Sequence, residues 1–140
     1  MSESYQAKTR ISLDDVHYGP ISPGERDLKL LGDVRGKRVL ELACGAAQNA
    51  IVLAKWDARV AAMDFSAGQL RKARELVARE RVRVDLVRGD MERPRMFHDG
   101  CFDVVMSSFG WEFVPDLATC LGECHRVMRR GGLLVMCMAL

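Results

Sequence analysis

No apolar run in this sequence approaches the roughly 18 residues that a membrane-spanning helix needs. The first residues, Met1 to Tyr5, also lack the basic region and the apolar stretch of a secretory signal. These absences predict a cytoplasmic protein that does not cross a membrane. For a chain of 140 residues, one domain is the expected count.

The sequence also has little excess charge of either sign. A net charge of +2 gives no long-range attraction to phosphate, which disfavours a nucleic-acid partner without forbidding one. The densest basic stretch runs from Arg71 to Arg83 and is interleaved with Glu75 and Glu80. This pattern is typical of a solvated helix face and its exit turn, and the alternative is an anion-binding patch.

Side chains that commonly bind metals are few and poorly spaced. The five cysteines are an odd number, and no pair of them has the spacing of a zinc ribbon. Cys120 and Cys124 lie four residues apart beside His125, but a tetrahedral site needs further ligands and none is suggested nearby. We therefore predict no metal site, and we interpret the cysteines as small buried side chains in a reducing compartment.

Histidine, the usual proton acceptor at neutral pH, occurs only three times. His17 precedes Tyr18 in the lead segment, His98 lies in a polar turn, and His125 is expected on the last helix. None of these contexts assigns a general base, because geometry decides that role before residue type does. The sequence leaves the catalytic residue unknown.

What the sequence does contain is an alternation of strand and helix patterns after a lead segment of residues 1–35. The predicted strands are Arg38–Leu42, Ala58–Met63, Val82–Val87, Phe102–Ser107 and Leu133–Leu140. The predicted helices are Glu25–Leu31, Gln48–Trp56, one capped by Ser66, and one capped by Asp116 that ends at Gly131-Gly132. This alternation over residues 36–140 predicts an α/β fold, a doubly wound parallel sheet with helices on both faces.

Ligands of such sheets lie beyond the carboxyl ends of the strands, where this chain places small and acidic residues. Glu41 lies near the end of the first strand, and the small-residue loop from Ala43 to Ala47 follows it. Gly45 allows close approach of a ligand, and the amides that start the next helix can bind a carboxylate or phosphate. Any tight strand-to-helix turn also favours small residues, which is the alternative interpretation.

Acidic side chains end the next two predicted strands as well. Asp64 follows Gly45 by 19 positions and can accept both hydrogen bonds of a ribose diol. The alternative is a helix N-cap, but Ser66 can serve as the cap and leave Asp64 free. Asp90 and Met91 follow Gly89, where they can bind the adenine amine and pack on its ring, or simply form a turn.

The fourth strand leads into a loop rich in aromatic residues. Ser107 and Ser108 are expected at the carboxyl end of this strand, facing the cleft. The aromatic residues that follow are Phe109, Trp111 and Phe113. They are predicted to form a wall of the pocket, with packing against the next helix as the alternative.

These segments, in this order, resemble the class I methyltransferases that use S-adenosylmethionine. The resemblance runs from about Gly36 to the end of the chain and includes Val-Leu-Glu-Leu-Ala-Cys-Gly-Ala-Ala, Ala-Ala-Met-Asp-Phe-Ser, Val-Arg-Gly-Asp-Met, Phe-Asp-Val-Val-Met-Ser-Ser and Glu-Cys-His-Arg-Val-Met-Arg-Arg-Gly-Gly-Leu-Leu-Val. It implies a Rossmann-like fold and S-adenosylmethionine as methyl donor.

The resemblance also implies a role for individual residues. Glu41 would support the loop and the methionine amino group, while amides near Ala43 and Gly45 would hold the methionine portion. Asp64 would bind the ribose hydroxyls. The remaining cofactor-binding residues implied are Phe65 beside that acid, Asp90 and Met91 at adenine, Ser107 near the methionine portion, and Tyr18 from the lead segment over the carboxylate.

The chain departs from the family pattern in three ways. Alanine stands at Ala43 and Ala47 where the family often has glycine, which disfavours a positive φ and narrows the approach of the cofactor. Arg130 stands where proline is frequent. The antiparallel strand pair that usually follows the fifth strand is missing, so Leu133–Leu140 is expected to be an uncovered apolar edge that invites self-association, or the chain is a truncated product.

The expected activity is transfer of a methyl group to a small-molecule acceptor, in which the protein mainly aligns the reactants and excludes water. One rival is a cofactor-binding remnant without catalysis. A second is a dinucleotide oxidoreductase, which would have glycines at G-x-G-x-x-G where this loop reads Ala-Cys-Gly-Ala-Ala-Gln. A third, a nucleic-acid methyltransferase, is disfavoured by the low net charge and by the lack of an Asn-Pro-Pro-Tyr motif.

Overall fold

The computed structural model describes residues 12–108, 110–111 and 114–137. Strands and helices alternate along the described chain after a short first helix. The elements are α1 Glu25–Leu28, β1 Arg38–Leu42, α2 Gln48–Lys55, β2 Arg59–Asp64, α3 Ala67–Glu80, β3 Val84–Arg88, β4 Phe102–Ser107, α4 Leu117–Val127 and β5 Met128–Met136. The strands β1 and β4 have the predicted bounds, and β2 and β3 differ from the prediction by two residues or fewer at each end.

The five strands form one parallel sheet in the order β3-β2-β1-β4-β5. β1 lies at its centre, with Leu40 opposite Ala61 of β2 and opposite Val105 of β4. The order reverses next to β1, because the chain builds outward to β3 and then returns to the other side for β4. The predicted doubly wound parallel sheet is confirmed, and the described residues contain no antiparallel strand pair.

Alternate side chains of the strands enter two cores, one on each face of the sheet. On one face, Val39 and Val104 pack with Ile51 of α2 and Leu70 of α3. The other face carries β1 and β4 side chains that pack with Cys120, Cys124 and Val127 of α4. Burial on both faces makes β1 an almost continuous apolar run, as parallel strands require.

The lead segment contributes to the first of these cores. Val16, Leu31 and Val34 are almost completely buried there. α1 is shorter than predicted and ends at Leu28, because the Glu25 carboxylate accepts hydrogen bonds from backbone amides further along the chain. Those bonds hold residues 30–32 in a turn outside the helix.

The largest difference from the sequence prediction lies at the end of α4. The helix ends at Val127, and Gly131 and Gly132 lie inside β5 instead of ending the helix. The pairing register between β4 and β5 shifts after Phe102. Phe102 pairs with Met128, but Val104, two residues later, pairs with Leu133, five residues later in β5. Gly131 has φ 76°, which a bulge of this kind requires and a side chain disfavours.

β5 occupies one edge of the sheet and pairs only with β4 among the described strands. Residues 138–140 of the predicted strand lie outside the described residues, and self-association through this edge stays a prediction. Within the described chain, no helix combines the length and the apolar character needed to cross a bilayer.

Candidate functional site

A cavity of about 510 Å³ opens at the carboxyl ends of β1, β2 and β3 and beside the segment that follows β4. This is the place where ligands of doubly wound sheets bind. Most of the predicted cofactor-binding residues line it. They are Glu41, Ala43, Gly45, Asp64, Phe65, Asp90 and Met91.

The loop after β1 has an unusual backbone, because every second residue adopts a left-handed conformation. Ala43, Gly45 and Ala47 have φ values of 54°, 58° and 66°. For an alanine this conformation costs roughly 1–2 kcal/mol, so the loop carries strain that glycine at both positions would remove. α2 begins directly after Ala47 without a side-chain cap, which leaves first-turn amides for a ligand.

Asp64 joins this loop to the next strand–helix turn. One carboxylate oxygen accepts a hydrogen bond from the Gly45 amide at 2.9 Å, and the other accepts one from the Ser66 amide at 2.8 Å. Ser66 caps α3 as predicted by accepting a bond from the Gln69 amide. Asp64 is therefore already bonded rather than free, yet each of its oxygens retains a lone pair for a diol.

Glu41 lies almost completely buried at the end of β1, with 3% of its surface exposed. Its Oε1 atom has no hydrogen-bond partner among the described residues. Burial raises the pKa of this carboxyl to about 8, against the lowering effect of hydrogen bonds from the Ala50 backbone and the Asn49 side chain. A buried carboxyl with an unpaired oxygen beside a cavity is suited to bind a cationic group of a ligand.

Two predicted site residues lie outside the cavity wall. Tyr18 is buried and its hydroxyl donates a hydrogen bond to Glu25 at 2.6 Å, while its neighbour His17 lines the cavity. Ser107 is buried, and its carbonyl accepts a bond from the Trp111 indole, while Ser108 lines the cavity. In both cases a neighbour in the chain, His17 or Ser108, lines the cavity instead.

Asn49, to which the sequence prediction gave no role, connects these cavity residues. Its side chain accepts a hydrogen bond from the His17 amide at 2.8 Å and donates to the His17 carbonyl at 2.8 Å. It also donates to the Ser108 hydroxyl at 3.0 Å, and that hydroxyl donates to the same carbonyl at 2.6 Å. A polar residue in the first turn of a helix is so common that only the tertiary contacts identify this one.

The far end of the cavity lies beyond β2 and β3. Phe65 is 71% exposed there and offers its ring to a ligand. Asp90 bonds the Glu92 amide, and Glu92, whose role the sequence prediction missed, accepts a bond from the Asp116 amide that begins α4. Asp116 caps that helix as predicted.

The predicted aromatic wall is only partly described by the structure. Trp111 is buried in the second core with 1% exposure and does not line the cavity. Phe109 and Phe113 lie outside the described residues. Val114 and Pro115 provide apolar surface on this side of the cavity.

The cavity wall carries acidic side chains and no lysine or arginine among the described residues. Its four carboxyl groups belong to Glu41, Asp64, Asp90 and Glu92. A dinucleotide carries a negatively charged pyrophosphate, which this wall would repel at short range. The wall instead suits a ligand with positive groups, and S-adenosylmethionine, with an ammonium and a sulfonium, fits it.

Comparison with known proteins is consistent with this geometry. A family model described as a methyltransferase domain matches residues 40–136. The chain belongs to the class I methyltransferases that use S-adenosylmethionine. The demethylmenaquinone methyltransferase of Geobacillus kaustophilus is 41% identical over 106 residues, which are 72% of this chain and 44% of that protein.

Solved structures of methyltransferases share the fold. An arsenic(III) S-adenosylmethionine methyltransferase from Chlamydomonas reinhardtii superposes with a TM-score of 0.67 at 29% identity, over 72% of this chain and 38% of that one. An S-adenosylmethionine-dependent methyltransferase from Aquifex aeolicus superposes with a TM-score of 0.74 at 21% identity, over 92% of this chain and 68% of that one. This methyltransferase chain spans less than half the length of the first curated relatives it matches.

Proposed function

We propose that this chain binds S-adenosylmethionine in the acidic cavity and transfers its methyl group to a small-molecule acceptor. The unpaired Oε1 atom of buried Glu41 carries the proposal, because an ammonium group would provide the partner it lacks. Membership of the methyltransferase family supports the reaction type. The name of the Geobacillus relative, demethylmenaquinone methyltransferase, supports a small-molecule acceptor rather than a macromolecule.

The proposed binding mode follows the order of the strands. Glu41 binds the ammonium group, and amides of the loop from Ala43 to Gly45 and of the first turn of α2 bind the carboxylate. Asp64 accepts hydrogen bonds from the ribose hydroxyls. Asp90 and Met91 hold the adenine, with Phe65 covering it from the open side.

Bound S-adenosylmethionine supplies a methyl group on a positively charged sulfur, which is a good leaving group. The residues of the chain then have to align the acceptor with that methyl group and exclude water. The apolar surface of Val114 and Pro115 suits an uncharged acceptor on that side of the cavity. The acidic wall would repel an anionic acceptor, including a nucleic acid.

Calorimetric titration with S-adenosylmethionine and S-adenosylhomocysteine tests the cofactor site. We expect micromolar affinity, on the order of −8 kcal/mol, and its loss in Asp64→Ala. The matched control is Asp85→Ala on β3, which changes an exposed aspartate that does not line the cavity. A folded chain that binds neither compound would contradict the proposal.

Catalysis is tested separately by transfer of a labelled methyl group to a panel of small acceptors that includes 1,4-dihydroxynaphthalene. Product formation that depends on the chain supports an active methyltransferase. The alternative, a non-catalytic binding domain, predicts tight cofactor binding and no transfer to any member of the panel. Size-exclusion chromatography and methyl transfer, measured at the same set of protein concentrations, would show whether activity follows self-association.

A further inference from the structure

His17 lines the cavity and carries a polar atom without a hydrogen-bond partner among the described residues. This atom is the imidazole Nε2, which is buried. Buried polar atoms in folded proteins are nearly always hydrogen-bonded, and the exceptions often have a functional cause. The binding mode proposed above gives this atom no role, which leaves it for a second ligand in the same cavity.

The backbone of His17 is fixed on two elements of the core. Asn49 in the first turn of α2 binds both the amide and the carbonyl of His17, and Ser108 after β4 binds the same carbonyl. These bonds connect the lead segment to α2, which follows β1, and to the end of β4, the two strands between which the strand order reverses. His17 therefore lines the cavity from a fixed backbone position.

The strand order places His17 away from the proposed nucleoside. The proposed ribose and adenine residues, Asp64 and Asp90, follow β2 and β3, whereas Ser108 follows β4 on the other side of β1. Along the edge β3-β2-β1-β4, the order is then adenine, ribose, methionine portion and His17. His17 lies at the methionine end of this order, next to Ser108, on the side where an acceptor would meet the methyl group.

We infer that His17 Nε2 accepts the proton of the acceptor nucleophile during methyl transfer, an inference that rests on the proposed function. The acceptor class is then an uncharged molecule with an ionisable O–H or N–H group. The nucleophile forms a bond to the methyl carbon while Nε2 takes its proton, and the sulfur keeps the electron pair of the broken bond. The imidazolium returns the proton to water after the products leave.

A competing role for His17 is to bind the carboxylate of the cofactor. The loop amides and the uncapped start of α2 already offer donors to that group. The two roles predict opposite responses of the imidazole to ligands. A nearby carboxylate favours imidazolium equally in both complexes, whereas a nearby sulfonium disfavours it only in the S-adenosylmethionine complex.

Nuclear magnetic resonance of the imidazole carbons distinguishes these roles without any acceptor. We expect the carbon signals of His17 to differ between the S-adenosylmethionine and the S-adenosylhomocysteine complexes, because only the first places a positive sulfur beside the ring. The other titratable groups of the cavity wall, Glu41, Asp64, Asp90 and Glu92, are present in both complexes, so comparing the two cancels their contribution.

Signals of His17 that change equally when either compound binds would overturn the inference and assign His17 to the carboxylate. If neither compound binds, the proposed function itself fails, which is a different result. Substitutions add a second test. His17→Gln should keep the affinity for S-adenosylhomocysteine within about threefold, and a tenfold loss would place His17 in the cofactor site.

The matched control for this substitution is His98→Gln, which changes an exposed histidine outside the cavity wall. With an acceptor such as 1,4-dihydroxynaphthalene, His17→Gln should lower kcat at least tenfold and remove the rise of kcat with pH, while His98→Gln changes neither. An unchanged kcat and pH profile in His17→Gln would overturn the role in proton transfer.

Discussion

The carboxylate of Asp64 accepts a hydrogen bond from the backbone amide of Gly45 across 2.9 Å. The two residues belong to different strand–helix turns, 19 positions apart in the chain. The proposed ribose acid therefore also holds the loop that would contact the methionine portion. Loss of this carboxylate should affect both the shape of the loop and the affinity for the cofactor.

Asp64→Asn tests this double role. The amide keeps one acceptor oxygen, so one of the two backbone bonds is lost. We expect the free energy of unfolding to fall by about 1–2 kcal/mol and the affinity for S-adenosylhomocysteine to fall at least tenfold. Denaturant unfolding and calorimetry measure these effects, with Asp85→Asn as the control on an exposed position. A normal affinity in Asp64→Asn would show that Asp64 does not bind the cofactor.

Glu41→Gln should make the protein more stable while weakening the cofactor site. The buried carboxyl has its pKa raised from 4.5 to about 8, so the folded state binds its proton more tightly than the unfolded state does. The contribution of this carboxyl to the free energy of unfolding is therefore fully present below pH 4.5, and it is lost as the pH rises toward 8. At pH 7 the substitution should add on the order of 3 kcal/mol, and at pH 4 almost nothing. Urea unfolding at the two pH values checks the sign.

Binding of S-adenosylmethionine should release a proton from the same carboxyl group. At pH 7 Glu41 is mostly protonated, and an ammonium ligand favours its ionised form. Affinity should therefore rise by up to tenfold per pH unit between about pH 6 and pH 8. Calorimetry in two buffers with different ionisation enthalpies counts the protons. Glu41→Gln should release none, and equal release in both proteins would contradict this assignment.

Ala43→Gly should stabilise the loop after β1. Ala43 has φ 54°, a conformation that glycine adopts without strain. After the greater chain entropy of glycine is subtracted, we expect a gain of about 0.5–1 kcal/mol and a Tm higher by about 3 °C. Ala78→Gly on the exposed face of α3 provides the opposite control, since a helical glycine should lower stability by about 1 kcal/mol. A loss of stability in both variants would contradict strain at Ala43.

Tyr18→Phe separates a structural role from a role in binding. The substitution removes the bond from the Tyr18 hydroxyl to Glu25, while that carboxylate keeps its bonds from the amides of Leu30, Leu31 and Gly32. We expect stability to fall by about 1 kcal/mol and the affinity for S-adenosylhomocysteine to stay within twofold. A tenfold loss of affinity would instead return Tyr18 to the cofactor site.

The features that the sequence predicted well are local. β1 and β4 are runs of apolar residues with turn residues beside them, and the caps Ser66 and Asp116 precede helical patterns directly. The predicted end of α4 at Gly131-Gly132 was wrong, because Gly131 belongs to the register shift between β5 and β4, which depends on tertiary contacts. His17 and Asn49 were not assigned together because 32 residues separate them and no local pattern links them.

The acidic wall has a consequence for turnover. Transfer of the methyl group converts a sulfonium into a neutral thioether, so the carboxylates lose part of their attraction at the moment the product forms. S-adenosylhomocysteine should then dissociate more readily than the donor, which would keep product inhibition low. Charge placed around the cavity would thus make the chain respond to the amount of methyl donor more than to the ratio of donor to spent product.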